Sequence, residues 1–279
     1  METVRVYSKN AAYQKFEVLK TNRQKRFHYG EFLVEGVRNL NTARAHGWHF
    51  NAFLYSPDKP LSDWAREMLK NVPADTHYQL SLPLLRDLSG KEDESELLAV
   101  IAMKKNGPEQ IPLSPVPLLA LFDRPSNKGN LGTILRSCDA LGVDGLIVTG
   151  HGVDLYEPEV IVAGMGSWFK VPHCYVPETE RVNAYIASLR ARYPGLQVIG
   201  TTAHRQHPLD SLDLTGPVLY MIGNETEGLC RAFKESCDIL ATIPMAENSQ
   251  ASSFNVGCAA TVMFYEADRQ RRAAGEAGR

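Results

Sequence analysis

The sequence predicts an α/β protein in which a small α/β domain precedes a mostly parallel sheet covered by helices on both faces. From residue 118 onward, short apolar runs recur at residues 118–122, 145–148, 171–176, 196–201, 218–222 and 239–243, and helical periodicity fills most of the gaps. Buried strands joined by helical crossovers read in this way, because a parallel sheet needs cover on both sides. Ahead of them, Gly107, Pro108, Pro112, Pro115 and Pro117 break any regular element and mark a linker at residues 105–117. Residues 26–104 on its near side alternate strand and helix patterns on their own account.

Composition narrows the functional class. The 279 residues are 44% hydrophobic, enough for a core, and the net charge is −2. Global attraction for nucleic acid is thereby excluded, so any such binding must rest on a local patch. Five cysteines, at positions 138, 174, 230, 237 and 258, show no CxxC spacing and read as reduced, mostly buried thiols of a cytosolic protein. The opening METVRVYSKN has no apolar signal-peptide core and the apolar runs are strand-length, so no membrane association is expected.

The elements follow in order. Residues 1–25 form a basic segment in which Arg5, Lys9, Lys15, Lys20, Arg23 and Lys25 face only Glu2 and Glu17, and Arg26 continues it. It reads either as a solvated helix face or as a phosphate-contacting arm. From Glu31 an apolar entry leads into a helix carrying Val37, Leu40 and Ala43 or Arg44, then a strand ending at Tyr55. A helix at 62–70, a strand at 76–80, a helix at 82–88 and a strand at 97–103 complete the small domain. In the second part a helix at 180–193 carries Val182, Tyr185, Ile186 and Leu189 on one stripe.

Ligands of open α/β sheets sit at the carboxyl ends of the strands, so three loops there matter most. The first, residues 126–136, opens a helix whose buried stripe is Ile134, Leu135, Cys138 and Leu141; Arg136 points away from it at 100° per residue. Glycines at a helix N-terminus with Lys128 and Arg136 suit an anion, although a plain turn with a surface arginine reads equally well. The second, residues 223–228, places Gly223 and Glu225 between a strand and a helix, where a simple helix cap is the alternative. The third runs from Ile243-Pro244-Met245 to a helix for which Ser253 is the expected N-cap, followed by Val256, Ala259, Ala260 and Met263 at helical spacing. The run from Gly257 to Thr261 keeps that helix slim enough for close backbone approach. His204 and His207, three apart with no third ligand nearby, read as loop polar groups, as do His151 and His173, and no metal is expected. Neither a P-loop nor GxGxxG is present.

Together and in this order, the three loops resemble the motifs of the SpoU (TrmH) family of RNA 2'-O-ribose methyltransferases, of the SPOUT superfamily. Asn130, Gly132 and Arg136 match Asn-x-Gly-x-x-x-Arg; Gly223, Glu225 and Gly228 match Gly-x-Glu-x-x-Gly; Ile243 to Met245 and Ser253 to Val256 match Ile-Pro-Met and Ser-Leu-Asn-Val. Phe254 replaces the usual leucine, and the loop at 246–252 is longer than the common pattern and lacks its glycine after Ala246. Phe32-Leu33-Val34-Glu35-Gly36 and the strand at 97–103 make residues 26–104 similar to the family's L30e-like substrate-binding domain.

The resemblance implies that residues 118–279 form a deep trefoil knot, that the protein is a homodimer, and that S-adenosylmethionine binds against Gly223, Ile243, Met245 and Phe254. It implies a catalytic set of Arg136, Asn130, Glu225, Ser253 and Asn255. For the family this arginine has been discussed as the base; a guanidinium is rarely neutral, so we expect Arg136 instead to grip the phosphate beside the target ribose, with Asn130 and Glu225 orienting the loop and arginine and Ser253 with Asn255 shaping the cofactor edge and substrate entry. Arg23, Lys25, Arg26, Arg38 and Lys128 are the expected RNA contacts. The implied activity is methyl transfer to a ribose 2'-hydroxyl of structured RNA, ribosomal RNA in preference to transfer RNA, in the cytoplasm. The alternative from another class is a catalytically silent knotted RNA-binding protein.

Overall fold

A computed structural model describes residues 2–89, 95–203 and 206–275. The chain forms two compact units, one of Met1–Lys105 with Tyr156–Lys170 and one of Asn106–Leu155 with Val171–Arg279. In the first unit the elements are β1 (Glu2–Val6), α1 (Ala11–Thr21), α2 (Arg23–Tyr29), β2 (Glu31–Glu35), α3 (Val37–Ala45), β3 (Phe50–Tyr55), α4 (Asp63–Asn71), β4 (Ala74–Leu80), α5 (Leu82–Leu88) and β5 (Leu97–Ala102). The sheet order is β1-β4-β3-β5-β2, with β1, β4 and β3 parallel and β5 antiparallel to both β3 and β2.

Of the two forms expected for the basic opening segment, the helix is present and, among the described residues, the free arm is not. Glu2 to Val6 pair in parallel with Thr76 to Leu80, and α1 buries Tyr13, Phe16 and Leu19 on the shared core. The charges are spread over β1 (Arg5), the turn before α1 (Lys9), α1 (Lys15 and Lys20) and α2 (Arg23 and Lys25), while the buried residues of α1 recur every third position. Arg26 is a second correction. It is 1% exposed, and its guanidinium donates to the carbonyls of Leu19 (3.1 Å) and Lys20 (3.2 Å) and to Glu157 (3.4 Å), so it ties α1 to α2 and is not available to RNA.

The second unit starts with β6 (Leu118–Asp123), α6 (Lys128–Ala140) and β7 (Gly145–Thr149). The chain then contributes α7 (Pro158–Ala163) and α8 (Ser167–Lys170) to the first unit. Aromatic residues explain that placement: Tyr156, Trp168 and Phe169 cluster with Phe32 and Trp48 at centroid distances of 4.8–6.3 Å, and Trp48 Nε1 donates to the Phe169 carbonyl at 2.9 Å. The second unit resumes with β8 (His173–Val176), α9 (Thr179–Arg192), β9 (Gln197–Thr201), β10 (His207–Pro208), β11 (Val218–Ile222), α10 (Arg231–Ser236), β12 (Ile239–Thr242) and α11 (Val256–Ala273). All seven strands are parallel, in the order β10-β12-β9-β11-β6-β7-β8. The six strands expected from the sequence are all present; β10, two residues long, was too short to leave a pattern.

Helix α11 packs on α6 along the run of small residues. An ideal Cβ on Gly257 would lie 3.2 Å from Thr133 Cγ2, and the hydroxyls of Ser137 and Thr261 meet at 2.6 Å. The far end of α11 is fixed by Arg271, which is 4% exposed and donates to the carbonyls of Val116 (3.1 Å), Pro117 (3.2 Å), Leu214 (3.1 Å) and Gly216 (2.6 Å). Cys138 and Cys174 are buried, Cys230 and Cys237 half-buried and Cys258 exposed, all as free thiols. Among the described residues no helix is long and apolar enough to cross a membrane.

Arg271→Met removes a buried cation's hydrogen bonds to four carbonyls, and is expected to cost about 3–5 kcal/mol in urea unfolding. Arg231→Met, which removes an exposed pair with Glu235, is expected to leave the midpoint nearly unchanged.

Candidate active site

The site is assembled where β6, β11 and β12 end. Strand β6 closes on Asp123, 2% exposed, whose carboxylate accepts the backbone N–H of Cys230 at 2.8 Å. Arg124 follows with φ of +50°, a conformation that costs a non-glycine residue about 1–2 kcal/mol. Contacts hold it there: its guanidinium donates to Asp123 (3.2 Å), to the Gly228 carbonyl (3.1 Å) and to Glu227, while its own carbonyl accepts Asn224 Nδ2 at 2.7 Å. The first and second loops are therefore cross-linked at their roots.

In the second loop, Asn224 and Gly228 exchange backbone hydrogen bonds of 3.1 and 3.0 Å, and Gly228 takes φ of +69°. Gly223 makes this fold-back possible, because a Cβ there would sit 2.4 Å from the Leu229 nitrogen and 2.5 Å from the Gly228 carbonyl carbon. The close approach that Gly223 permits is thus within the loop itself.

Glu225 reaches from the second loop into the first. Its carboxylate accepts four hydrogen bonds, from the Ser126 N–H (2.9 Å), the Ser126 hydroxyl (2.6 Å), the Asn127 N–H (3.0 Å) and Asn130 Nδ2 (3.1 Å). Asn130 Oδ1 in turn accepts Asn255 Nδ2 at 3.0 Å, which brings in the third loop. Asn255 is also the N-cap of α11, its Oδ1 accepting the N–H groups of Gly257 (2.9 Å) and Cys258 (3.3 Å). The cap is two residues beyond the expected Ser253, since asparagine serves as well and Ser253 stays in the loop.

A cavity of about 300 Å³ lies beside this network. Gly223, Glu225, Ile243, Met245, Ser253 and Phe254 all line it, together with Thr201 at the end of β9 and Ala259 and Met263 of α11. Arg136, by contrast, does not border the cavity. It projects from α6, exposed, and among the described residues it has no ion pair or side-chain hydrogen bond.

The expected RNA contacts divide. Lys25 and Arg38 are exposed, Arg23 is half-buried with its guanidinium 5.8 Å from the Phe27 ring, and Lys128 is half-buried as the first residue of α6. Sequence reasoning passed over Ser126 and Asn127 as donors to Glu225, and over Arg124. A Ser-Asn pair just ahead of a helix was a readable capping signal; the left-handed arginine left none. His204 lies outside the described residues, and among those described no group of His, Cys, Asp or Glu is placed to hold a metal.

Burial pushes the Glu225 carboxyl up, but bonds from the Ser126 hydroxyl and N–H and from Asn130 outweigh it and hold the group below its ordinary 4.5. A carboxyl lowered on folding stabilises the protein above its unfolded value and loses that contribution as pH falls through the folded one. Glu225→Gln is therefore expected to destabilise at neutral pH, with the difference from wild type shrinking below about pH 4.5 in thermal melts across pH. Gly223→Ala forces the loop open and is expected to weaken S-adenosylmethionine binding at least about tenfold by calorimetry, with the fold retained.

Residues 117–265 match the SpoU rRNA Methylase family and residues 10–99 the SpoU L30e-like domain. The chain is 41% identical over 268 residues to a 23S rRNA (uridine(2479)-2'-O)-methyltransferase of Streptomyces viridochromogenes, covering 96% of this chain and 92% of that protein. It is 30% identical to an uncharacterized tRNA/rRNA methyltransferase of Synechocystis, covering 89% of this chain and 88% of the other. Its fold superposes on the crystal structure of the SpoU methyltransferase AviRb from Streptomyces viridochromogenes, in complex with the cofactor AdoMet, with a TM-score of 0.89 at 41% identity, covering 95% of this chain and 99% of that one. With three motif loops joined through Glu225 and both parts of the chain matched, the protein belongs to the SpoU rRNA methylase family.

Proposed function

We propose that this protein transfers a methyl group from S-adenosylmethionine to a ribose 2'-hydroxyl of ribosomal RNA. The observation that carries the reading is the junction of the three loops: one carboxylate fixes the cavity wall, the foot of α6 and the cap of α11 together, while α6 presents an exposed arginine with no partner among the described residues.

The cavity suits the cofactor by its chemistry. Leu229, Ile243, Met245 and Phe254 offer apolar walls to an adenine ring, and the ionised Glu225 lies on the side where a cation is favoured. S-adenosylmethionine, when bound, supplies an electrophilic methyl on a sulfonium. Phe254, 43% exposed, supplies the apolar area that the family's leucine would.

Arg136 is the proposed catalytic residue. A guanidinium with a pKa above about 12 stays protonated, so its role is to grip the phosphate beside the target ribose through two parallel N–H groups and to stabilise negative charge developing on the 2'-oxygen. Among the described residues no side chain or carbonyl takes its guanidinium donors, which fits their use on RNA. Asn130 and Glu225 are positioning residues that fix the start of α6, and Ser253 and Asn255 shape the cofactor edge.

The first unit is proposed as an L30e-like RNA-binding domain, with Lys25 and Arg38 on backbone phosphates and Arg23 in support, and Lys128 at the start of α6 is proposed as a further RNA contact from the second unit. For the second unit we propose the trefoil knot, consistent with β12 lying between β10 and β9 and with α11 returning onto α6. The exposed Cys258, Val262 and Tyr265 on one side of α11 support a homodimer through that helix. A cytoplasmic location follows from the proposed substrate.

Arg136→Lys keeps the charge and loses the fork. It is expected to lower turnover on 23S rRNA by on the order of 10²-fold, measured by transfer of labelled methyl groups, with S-adenosylmethionine affinity unchanged. Near-normal turnover would sink the bidentate role.

A further inference from the structure

We infer that Lys234 holds the carboxylate of the cofactor's amino-acid tail. The inference rests on the cavity of the proposed function being the cofactor site, and it assigns a residue outside the three motif loops. Lys234 lies on α10, lines the cavity, and is the one cation among the described residues that do so. It is exposed and has no ion pair or side-chain hydrogen bond among the described residues, whereas its helix neighbours Arg231 and Glu235 are paired with each other at 2.7 Å. The other charged residues at the cavity are Glu225 and Glu227, the latter already paired with Arg124.

This distribution of charge sorts the ligand's ends. At neutral pH S-adenosylmethionine carries a sulfonium and an ammonium, both cations, and a single carboxylate. The carboxylates at the cavity favour the two cations and repel the third group. Some cation has to offset that repulsion, and the loop at 246–252 cannot supply one: its sequence Ala-Glu-Asn-Ser-Gln-Ala-Ser has Glu247 as its only charge. That loop is also where the chain departs from the common family pattern, so a grip from α10 replaces what the loop does not provide. A lysine is apt for the task, being a point charge on a flexible stem that can follow a mobile tail.

The experiment compares two ligands by calorimetry on the full-length protein. S-adenosylhomocysteine carries the carboxylate; 5'-methylthioadenosine keeps the adenosine and sulfur but lacks the amino-acid tail. Lys234→Met is expected to weaken S-adenosylhomocysteine about three- to tenfold and leave 5'-methylthioadenosine unchanged, and Lys234→Arg is expected to restore most of the loss. Equal weakening of both ligands, or no change in either, overturns the assignment. So does a loss confined to RNA binding, which would make Lys234 a phosphate contact. Failure of the wild-type protein to bind either ligand would instead overturn the cofactor reading itself.

Discussion

A single carboxylate determines how the catalytic half of this molecule is put together. Glu225 spends both oxygens on groups from a different loop: two backbone N–H groups, one hydroxyl and one amide. The backbone donors are those just ahead of α6, which a helix start leaves without intrahelical partners. Asn127 Oδ1 caps α6 by accepting the Asn130 N–H at 2.9 Å, and Glu225, 98 and 99 positions away in sequence, holds the capping residue and its neighbour in place. Asn130 relays the connection to Asn255, so the cap of α11 and the foot of α6 are set by the same interaction.

Two further devices keep that junction in register. Arg124, held in a left-handed conformation, ties the end of β6 to the second loop through Gly228 and Glu227, and Asn224 returns the bond. Beneath it, α6 and α11 approach through Gly257, Thr133, Ser137 and Thr261, while Arg271 fastens the end of α11 to the chain that enters β6. Arg136 is carried on the helix that all of these restrain. The proposed role of Arg136 asks for such restraint, because electrostatic catalysis needs the charge already in place when the transition state forms.

Much of this was legible in the sequence, for identifiable reasons. Parallel strands buried on both faces leave continuous apolar runs, so six of the seven strands of the second sheet could be read; β10, at two residues, is set by pairing with β12 and leaves no pattern. The motif residues were legible through the family resemblance, since each loop alone reads equally well as a plain turn or helix cap. What escaped was governed by long-range contact. Arg26 looks like part of a basic arm until its carbonyl partners are seen, and the segment Tyr156–Lys170 joins the first unit through an aromatic cluster whose members are up to 137 positions apart, Phe32 to Phe169. Ser253 lost the cap to Asn255 because either residue type suits the position and only the fold of the preceding loop decides between them.

The account stands or falls on a ribose methylation that depends on Arg136. Ribose 2'-O-methylation of ribosomal RNA should be mapped in cells with and without the gene, and in deletion cells carrying either the wild-type gene or Arg136→Ala. The account predicts a 2'-O-methyl group that disappears on deletion, returns with the wild type and does not return with the variant. An unchanged methylation map, or full restoration by Arg136→Ala, would contradict it.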